Sequence, residues 1–354
     1  MLRSPHRGPP GDGPVFSLQW HITDACDQRC RHCYLYAEDP GRRPEEVSWE
    51  DMLRTVESVR EFSALLGRRP MFFITGGDPL LHPDFWRLLE HLSRLGIAFA
   101  VMGNPFHLTA RACRRLKRLG CDRYQMSLDG LEETHDALRK PGSFRETLEK
   151  TRLLDRCGLT SVLMTTVSSI NVGELPRIIR QAAEARAGIF SFARYCPTGP
   201  DRSVGISPEE YREALKACRE TILALQERGC GTRFDKKEHL WTLLDYEEGR
   251  FAIPPENVPG VIYGGCHLGQ THLTVLPNGD VYACRRIADS RVGNLHTDRL
   301  SDIWITKMDA YRQYERFEKC GECALLCYCR GCPAVAAGSG RGFYGPDPQC
   351  WKAD

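Results

Sequence analysis

Successive βα units feeding a parallel sheet, followed by a smaller cysteine-organised module, form the α/β architecture that this 354-residue sequence predicts. Three observations carry that reading. Four helical patterns stop at a glycine (Gly96, Gly120, Gly158 and Gly188) and run at once into an apolar strand, the punctuation of βα repeats. The polar motifs fall where the first four strands end, and there the loops of a parallel sheet build an active site. The seventeen cysteines are clustered: three lie at 26–33, and seven lie between Cys284 and Cys350.

The elements follow in order. "FSLQWHIT" (16–23) reads as the first strand and leads into "CDQRCRHCY" (26–34). Ser48 opens an amphipathic helix, with Asp51 at the capping-box position and Trp49, Met52, Val56, Val59 and Phe62 on one stripe. The strand "MFFIT" (71–75) meets Gly76-Gly77-Asp78-Pro79, and a helix begins near Pro83 and stops at Gly96. "AFAVMGN" (98–104) precedes a helix from Thr109 to Gly120. "RYQMSLDG" (123–130) precedes one from Ser143 to Gly158. "TSVLMTTV" (160–167) precedes a helix from about Glu174 to Gly188, and "IFSFARY" (189–195) is the sixth strand. Six strands fall short of the eight of a closed barrel, so a partial (β/α)6 TIM-like barrel or an open sheet is expected.

Beyond Tyr195 the pattern changes. Ser207-Pro208-Glu209-Glu210 opens a capped helix to about Gly229, and a second helical stretch spans about 236–248. "THLTVLPNGDVYAC" (271–284) reads as a hairpin across Asn278-Gly279. One more helical pattern covers about 299–317. The expected division is a disordered lead-in at 1–14, a barrel at 15–200, a helical connection at 201–259 and a metal-organised module at 260–354.

Composition excludes several classes. A net charge of +2 gives no electrostatic case for nucleic acid or an anionic membrane. No apolar run reaches the roughly 18 residues that a bilayer span requires, and the first residues lack a signal core. The cytoplasm is therefore the expected compartment. There, clustered cysteines point to metal or redox chemistry rather than to disulfides.

Cys26, Cys30 and Cys33 supply three thiolates within eight residues. Three thiolates hold three corners of a cubane iron–sulfur cluster and leave its fourth iron open. A tetrahedral zinc ion would instead need a fourth donor, such as His32 or His21.

"CDQRCRHCY", "TGGDP" and "SLDG" together resemble the radical S-adenosylmethionine (radical SAM) superfamily over about residues 15–197. The resemblance implies that S-adenosylmethionine binds the open iron through its amine and carboxylate and is cleaved to a 5′-deoxyadenosyl radical. It further implies that Gly76 and Gly77 present backbone to the methionine amine at close range. Asp78 stands where the family more often has Glu. Ser127 and Asp129 would meet the ribose, and Arg139 the carboxylate. His32 and Tyr34 would flank the adenine, and Asn104 would face the same cavity.

The C-terminal cysteines, with the hairpin and "VGNL" (292–295), resemble the SPASM extension of such enzymes, which implies two auxiliary 4Fe–4S clusters and three in all. Cys320, Cys323, Cys329 and Cys350 would ligate the outer cluster, with Cys327 an alternative to Cys329. Cys266, Cys284 and Cys332 would ligate the inner one, whose fourth donor is not identified. A pair of structural zinc sites is the alternative. Cys196 in "RYCPTG" lies just past the sixth strand, as a hydrogen-atom donor, a ligand of the inner cluster or a packed thiol. Arg194 would hold a substrate carboxylate or a structural ion pair.

Barrel plus module resembles enzymes that modify ribosomally made peptides by thioether or carbon–carbon crosslinking or by epimerisation. "GNPFHLT", "QMSLDGLEETHD" and "GGDPLLHPDFW" look most like the group associated with short cysteine-containing repeat peptides. Sulfatase maturation is disfavoured because Arg285 follows the hairpin cysteine, where that group places an acid. About 15 residues before the first strand leave no room for a leader-binding winged-helix domain. The implied partners are a precursor peptide and a flavodoxin- or ferredoxin-like electron donor. The competing expectations are side-chain decarboxylation of a tetrapyrrole and a non-catalytic metal-binding interaction protein.

Overall fold

Strict alternation along "VFSLQWHIT" buries Phe16, Leu18, Trp20 and Ile22 completely on one face and makes β1 (Val15–Thr23). The computed structural model describes residues 14–36, 41, 43–198, 205–258 and 261–353. The expected disordered lead-in, apart from Pro14, lies outside the described residues. From β1 the sheet grows by parallel neighbours: β2 (Arg69–Gly76), β3 (Ala98–Met102), β4 (Arg123–Ser127), β5 (Thr160–Val167) and β6 (Ile189–Arg194). Among the described residues β6 does not pair with β1, so the barrel is partial, as expected.

Helices cover the outer face. In α1 (Trp49–Leu65) the Ser48 hydroxyl accepts from Asp51 N at 3.1 Å. In α3 (Ala110–Arg118) Thr109 accepts from Ala112 N at 3.1 Å. α2 (Phe85–Arg94) starts two residues later than expected. A 3-10 turn at Pro79–Leu81, capped by Asp78, takes up the interval. Gly96, Gly120 and Gly158 end their helices in the left-handed region. The fourth helix breaks the pattern: α6 (Leu175–Glu184) ends on Arg186 at φ 57°, not on Gly188. Gly188 is small for another reason, since a Cβ there would lie 3.1 Å from the Ser161 carbonyl.

Several elements were not expected from the sequence. α4 (Glu132–Leu138) precedes α5 (Ser143–Arg156) and places Arg139 at its C-terminus. After α7 (Pro208–Glu227), opened by the Ser207–Glu210 capping box, β7 (Arg233–Phe234) extends the sheet beside β6 and leads to α8 (Trp241–Glu247). The hairpin of β8 (His272–Val275) and β9 (Asp280–Tyr282) is joined by β10 (Arg291–Asn294).

The cysteine-rich module does not stand apart from the barrel. β8 pairs parallel with β1, from Ser17 opposite His272 to Trp20 opposite Val275, making one ten-stranded sheet. A single buried cluster runs from Phe16 to Val335. The helix expected at 299–317 is instead a chain of short turns. Arg312 donates to the Gly269 carbonyl at 2.9 Å and Tyr314 binds Gln270, so contacts to the 267–271 loop override the local helical pattern.

Candidate active site

The loop that follows β1 carries Cys26, Cys30 and Cys33 to the C-terminal edge of the sheet. Neighbouring loops hold it by its backbone: Gly77 N donates to Thr23 O at 2.8 Å, and Asp78 N donates to Ala25 O at 2.7 Å. The glycine pair is required by this packing. A Cβ on Gly76 would lie 2.1 Å from Thr23 O, and one on Gly77 2.2 Å from Ala25 O. Close approach to a ligand was the expected reason for these glycines. The structure gives a nearer one: they let β2 lie against the chain that enters the cysteine loop. Gly77→Ala is accordingly expected to lower stability by about 1–3 kcal/mol, the usual cost of overpacking. The urea midpoint reads this, and an unchanged midpoint would refute the contact.

Two side chains from outside the loop reach its thiols. Asn104 Nδ2 donates to Cys26 Sγ and to Asp27 Oδ1, both at 3.3 Å. Arg139 Nη1 lies 3.7 Å from Cys30 Sγ. Burial pushes the Cys26 thiol up to about 11, while the Gln28 amide and Asn104 act in the opposite sense. A buried thiol of this kind keeps its proton until a metal displaces it.

Asp129 organises the opposite wall. It is fully buried, and its Oδ2 takes both Arg139 Nε and Nη2 at 2.6 Å and His32 Nε2 at 3.3 Å, while Oδ1 takes Thr166 N at 2.8 Å. Burial alone would raise its pKa. Arg139, followed by His32 and the Thr166 amide, holds it well below the usual carboxylate range. Both oxygens of Asp129 are engaged, and its Oδ2 clamps Arg139 and His32. Ser127, two residues earlier, is half-buried on the inner side of β4. Asn171 Nδ2 donates to Asp129 O at 2.8 Å and His135 Nδ1 accepts from Asp129 N at 3.0 Å. Nothing in the sequence around Asn171 or His135 signals this second ring of support.

Asp78 differs from Asp129. Its Oδ1 accepts from Leu80 N at 3.2 Å, but its Oδ2 is buried without a partner, and burial pushes its pKa up to about 6. A lone carboxylate oxygen beside the cysteine loop suits an amine. The Tyr34 ring lies 6.1 Å from the His21 ring, tilted by 60°, and 4.5 Å from the guanidinium of Arg285, which follows the hairpin of the second module.

The C-terminal thiols fall into two groups. Cys320, Cys323, Cys329 and Cys350 lie together: Cys320, Cys329 and Cys350 each feel the charge of others in the set. Cys327 is buried, and its carbonyl accepts from Tyr263 N at 2.8 Å and Gly264 N at 3.0 Å. Cys266, Cys284 and Cys332 converge on Arg286, and Cys196 joins them. A zinc ion at about 2.3 Å from each sulfur would hold its thiolates about 3.8 Å apart. Among the described residues no three thiol sulfurs come within 4.8 Å of one another; Asp27, Asp78 and His107 are the group that does. At the first loop His32 Nε2 is engaged with Asp129.

No helix among the described residues is long and apolar enough to cross a membrane. The curated proteins similar to this chain include the AdoMet-dependent heme synthase of Oleidesulfovibrio alaskensis, 25% identical over 94% of this chain and 86% of its own. They also include the mycofactocin maturase MftC of Mycobacterium ulcerans, 27% identical over 96% and 88%. Among solved structures, Streptococcus suis SuiB bound to S-adenosylmethionine superposes with a TM-score of 0.74 at 17% identity, covering 96% of this chain and 78% of SuiB. Residues 20–182 match the radical SAM superfamily and residues 266–333 the SPASM iron–sulfur cluster-binding domain. With three thiols on the loop after β1 and a second set of cysteines in the C-terminal module, the chain carries a radical SAM superfamily domain followed by a C-terminal SPASM domain.

Proposed function

We propose that this radical SAM enzyme modifies a ribosomally synthesised peptide, by crosslinking through sulfur or carbon or by epimerisation. The observation that carries the radical chemistry is the loop itself: three thiols, with Asn104 on Cys26 and Arg139 beside Cys30. Cys26, Cys30 and Cys33 would hold a 4Fe–4S cluster whose fourth iron takes S-adenosylmethionine. When bound, the pair supplies one-electron cleavage of the sulfonium to methionine and a 5′-deoxyadenosyl radical. Arg139, fixed by Asp129, would hold the methionine carboxylate, and the free oxygen of Asp78 would accept from the amine. His32 and Tyr34 would border the adenine, and Ser127 the ribose. The likeness to a protein named as a maturase, over almost the whole chain, supports a peptide substrate. The C-terminal thiols would hold two auxiliary clusters, making three, with Cys329 rather than Cys327 in the outer one. The electron would come from a flavodoxin- or ferredoxin-like donor.

Anaerobic incubation with S-adenosylmethionine, reductant and short cysteine-containing peptides, read by mass spectrometry, tests this. Loss of two hydrogens means a crosslink, and no mass change with deuterium uptake from solvent means epimerisation. Cofactor cleavage with every peptide unchanged would refute the substrate class.

A second reading has an observation of its own. Arg285 lies over the Tyr34 ring at 4.5 Å and 5.7 Å from the Tyr282 ring, with Arg286 next to it in sequence. Such a basic, aromatic lining also suits a carboxylate-bearing tetrapyrrole, the reaction class of the heme synthase relatives. Carbon dioxide release from a propionate-bearing tetrapyrrole in the same assay would favour it.

Asp78 gives a pH prediction. Its carboxylate is ionised above about 6 and protonated below. The affinity ratio of wild type to Asp78→Asn for S-adenosylmethionine should therefore fall roughly tenfold per pH unit as the pH drops below that value. Calorimetric titration measures the ratio; a ratio that does not vary with pH removes Asp78 from the amine.

A further inference from the structure

We propose that Cys196, at the end of β6, is the fourth protein ligand of the inner auxiliary cluster, so that this cluster is closed and leaves no iron open to substrate. The proposal rests on the reading that the SPASM thiols hold clusters, and it concerns a residue outside the matched SPASM segment. In sequence Cys196 lies 136 residues before Cys332 and looks solitary. In space it is not. The Cys196 and Cys332 thiols are close enough to act on one another, and Cys284 is close enough for its charge to act on Cys196. Cys266 feels Cys332 and Cys284 in the same way. All four surround Arg286, whose Nη2 lies 3.9 Å from Cys332 Sγ.

The meeting of Cys196 and Cys332 is fixed from both flanks. On one side, the Asp347 carboxylate accepts from Arg194 Nη1 at 2.5 Å and Nη2 at 2.7 Å, and from the Cys332 backbone N at 2.7 Å. One carboxylate thus ties the last residue of β6 to the cysteine that opens the helix Pro333–Gly338. On the other side, Pro197 O packs against Gly338 so closely that a Cβ there would come within 2.5 Å. Cys196 is 5% exposed and Cys332 6%, and Cys196 is the thiol that joins Cys266, Cys284 and Cys332 around Arg286. Four thiolates are the ordinary complement of a 4Fe–4S cluster. Arg286 then supplies a fixed positive charge beside a negatively charged group. Cys196 becomes a structural ligand, not a hydrogen-atom donor, and the inner cluster passes electrons without binding substrate.

The test uses the full chain carrying Cys26→Ala, Cys30→Ala and Cys33→Ala, which removes the one cluster expected to have an open iron. The protein is reconstituted anaerobically with iron-57, reduced, and followed by Mössbauer and EPR spectroscopy with and without cyanide, a small ligand for any open iron. The expected result is about eight iron atoms per chain and no response to cyanide. Adding Cys196→Ala should make one iron of the inner cluster cyanide-responsive. Cys196→Ser should suppress that response in part, and Cys332→Ala should alter the same spectral component. A cyanide-responsive cluster with Cys196 intact overturns the proposal, and needs no Cys196 variant that might fail to fold. A Cys196→Ala spectrum identical to its parent overturns it as well. Iron near zero in the parent would overturn the cluster reading itself, and is recognisably different from either.

Discussion

Replacing Cys30 by alanine should reduce reductant-dependent formation of 5′-deoxyadenosine to below about one-thousandth of the wild-type rate, more than about 4 kcal/mol of barrier. The size follows from how the loop is built. Three thiols serve three irons, and no other sulfur among the described residues lies in the loop to replace one. Arg139 reaches both Cys30 and Asp129, so loss of the thiol also leaves one arm of the guanidinium without its neighbour. Iron should fall by about four atoms per chain, the content of one cluster. Cys230→Ala, a half-buried thiol away from all three sets, is the control and should change neither reading. Undiminished nucleoside, with methionine in equal amount, would mean that the loop does not hold the reactive cluster.

Arg194→Met is expected to cost about 3–5 kcal/mol of stability, the range for stranding the partners of a buried ion pair. Arg194 is 1% exposed and donates to Glu238 at 3.0 and 3.1 Å, to Asp347, and to Gln349 Oε1 at 2.8 Å. It therefore holds a structural ion network, not a substrate carboxylate. Burial opposes ionisation of Glu238 and Asp347, and Arg194 overcomes it, so both carboxyls are held below their ordinary values. In the wild type their contribution is complete above the unfolded carboxylate range and is lost as the pH falls through the lowered values. Without the arginine the sign reverses: both groups titrate above the unfolded range, and the variant regains stability as the pH is lowered. Urea unfolding at about pH 7 and about pH 5 reads the reversal. A loss under about 1 kcal/mol, or an unchanged pH slope, would show that the network carries little.

The βα rhythm was legible because it rests on local chemistry. Ser48, Thr109 and Ser207 cap where their side chains dictate, and Gly96, Gly120 and Gly158 stop helices for want of a Cβ. Where tertiary contacts decide, the pattern misleads. Arg186 takes the left-handed turn expected nearer Gly188, and a helical stripe at 299–317 is pulled apart by contacts to the 267–271 loop. α4 escaped notice because seven residues without a side-chain cap carry little signal, and β7 has only two residues. The site divides in the same way. Thiols announce themselves by spacing, whereas Asp129 draws its partners from residues 32, 139 and 166, and no linear pattern reveals that. Cys196 is the extreme case, legible only once β6 and the last helix are seen on one carboxylate.

The parallel pairing of β8 with β1 has a consequence for how the chain is made. β1 emerges early and gains β2 on one side within about 50 residues, but its other edge stays unpaired until residue 275 has been synthesised. At about 5–20 residues per second that wait lasts roughly 10 to 50 s. During that time an apolar strand with an open hydrogen-bonding edge carries the first three thiols into solution, a form prone to pairing with other chains. Completing the second module therefore seals the first, and a chain truncated before β8 should aggregate rather than yield a free barrel.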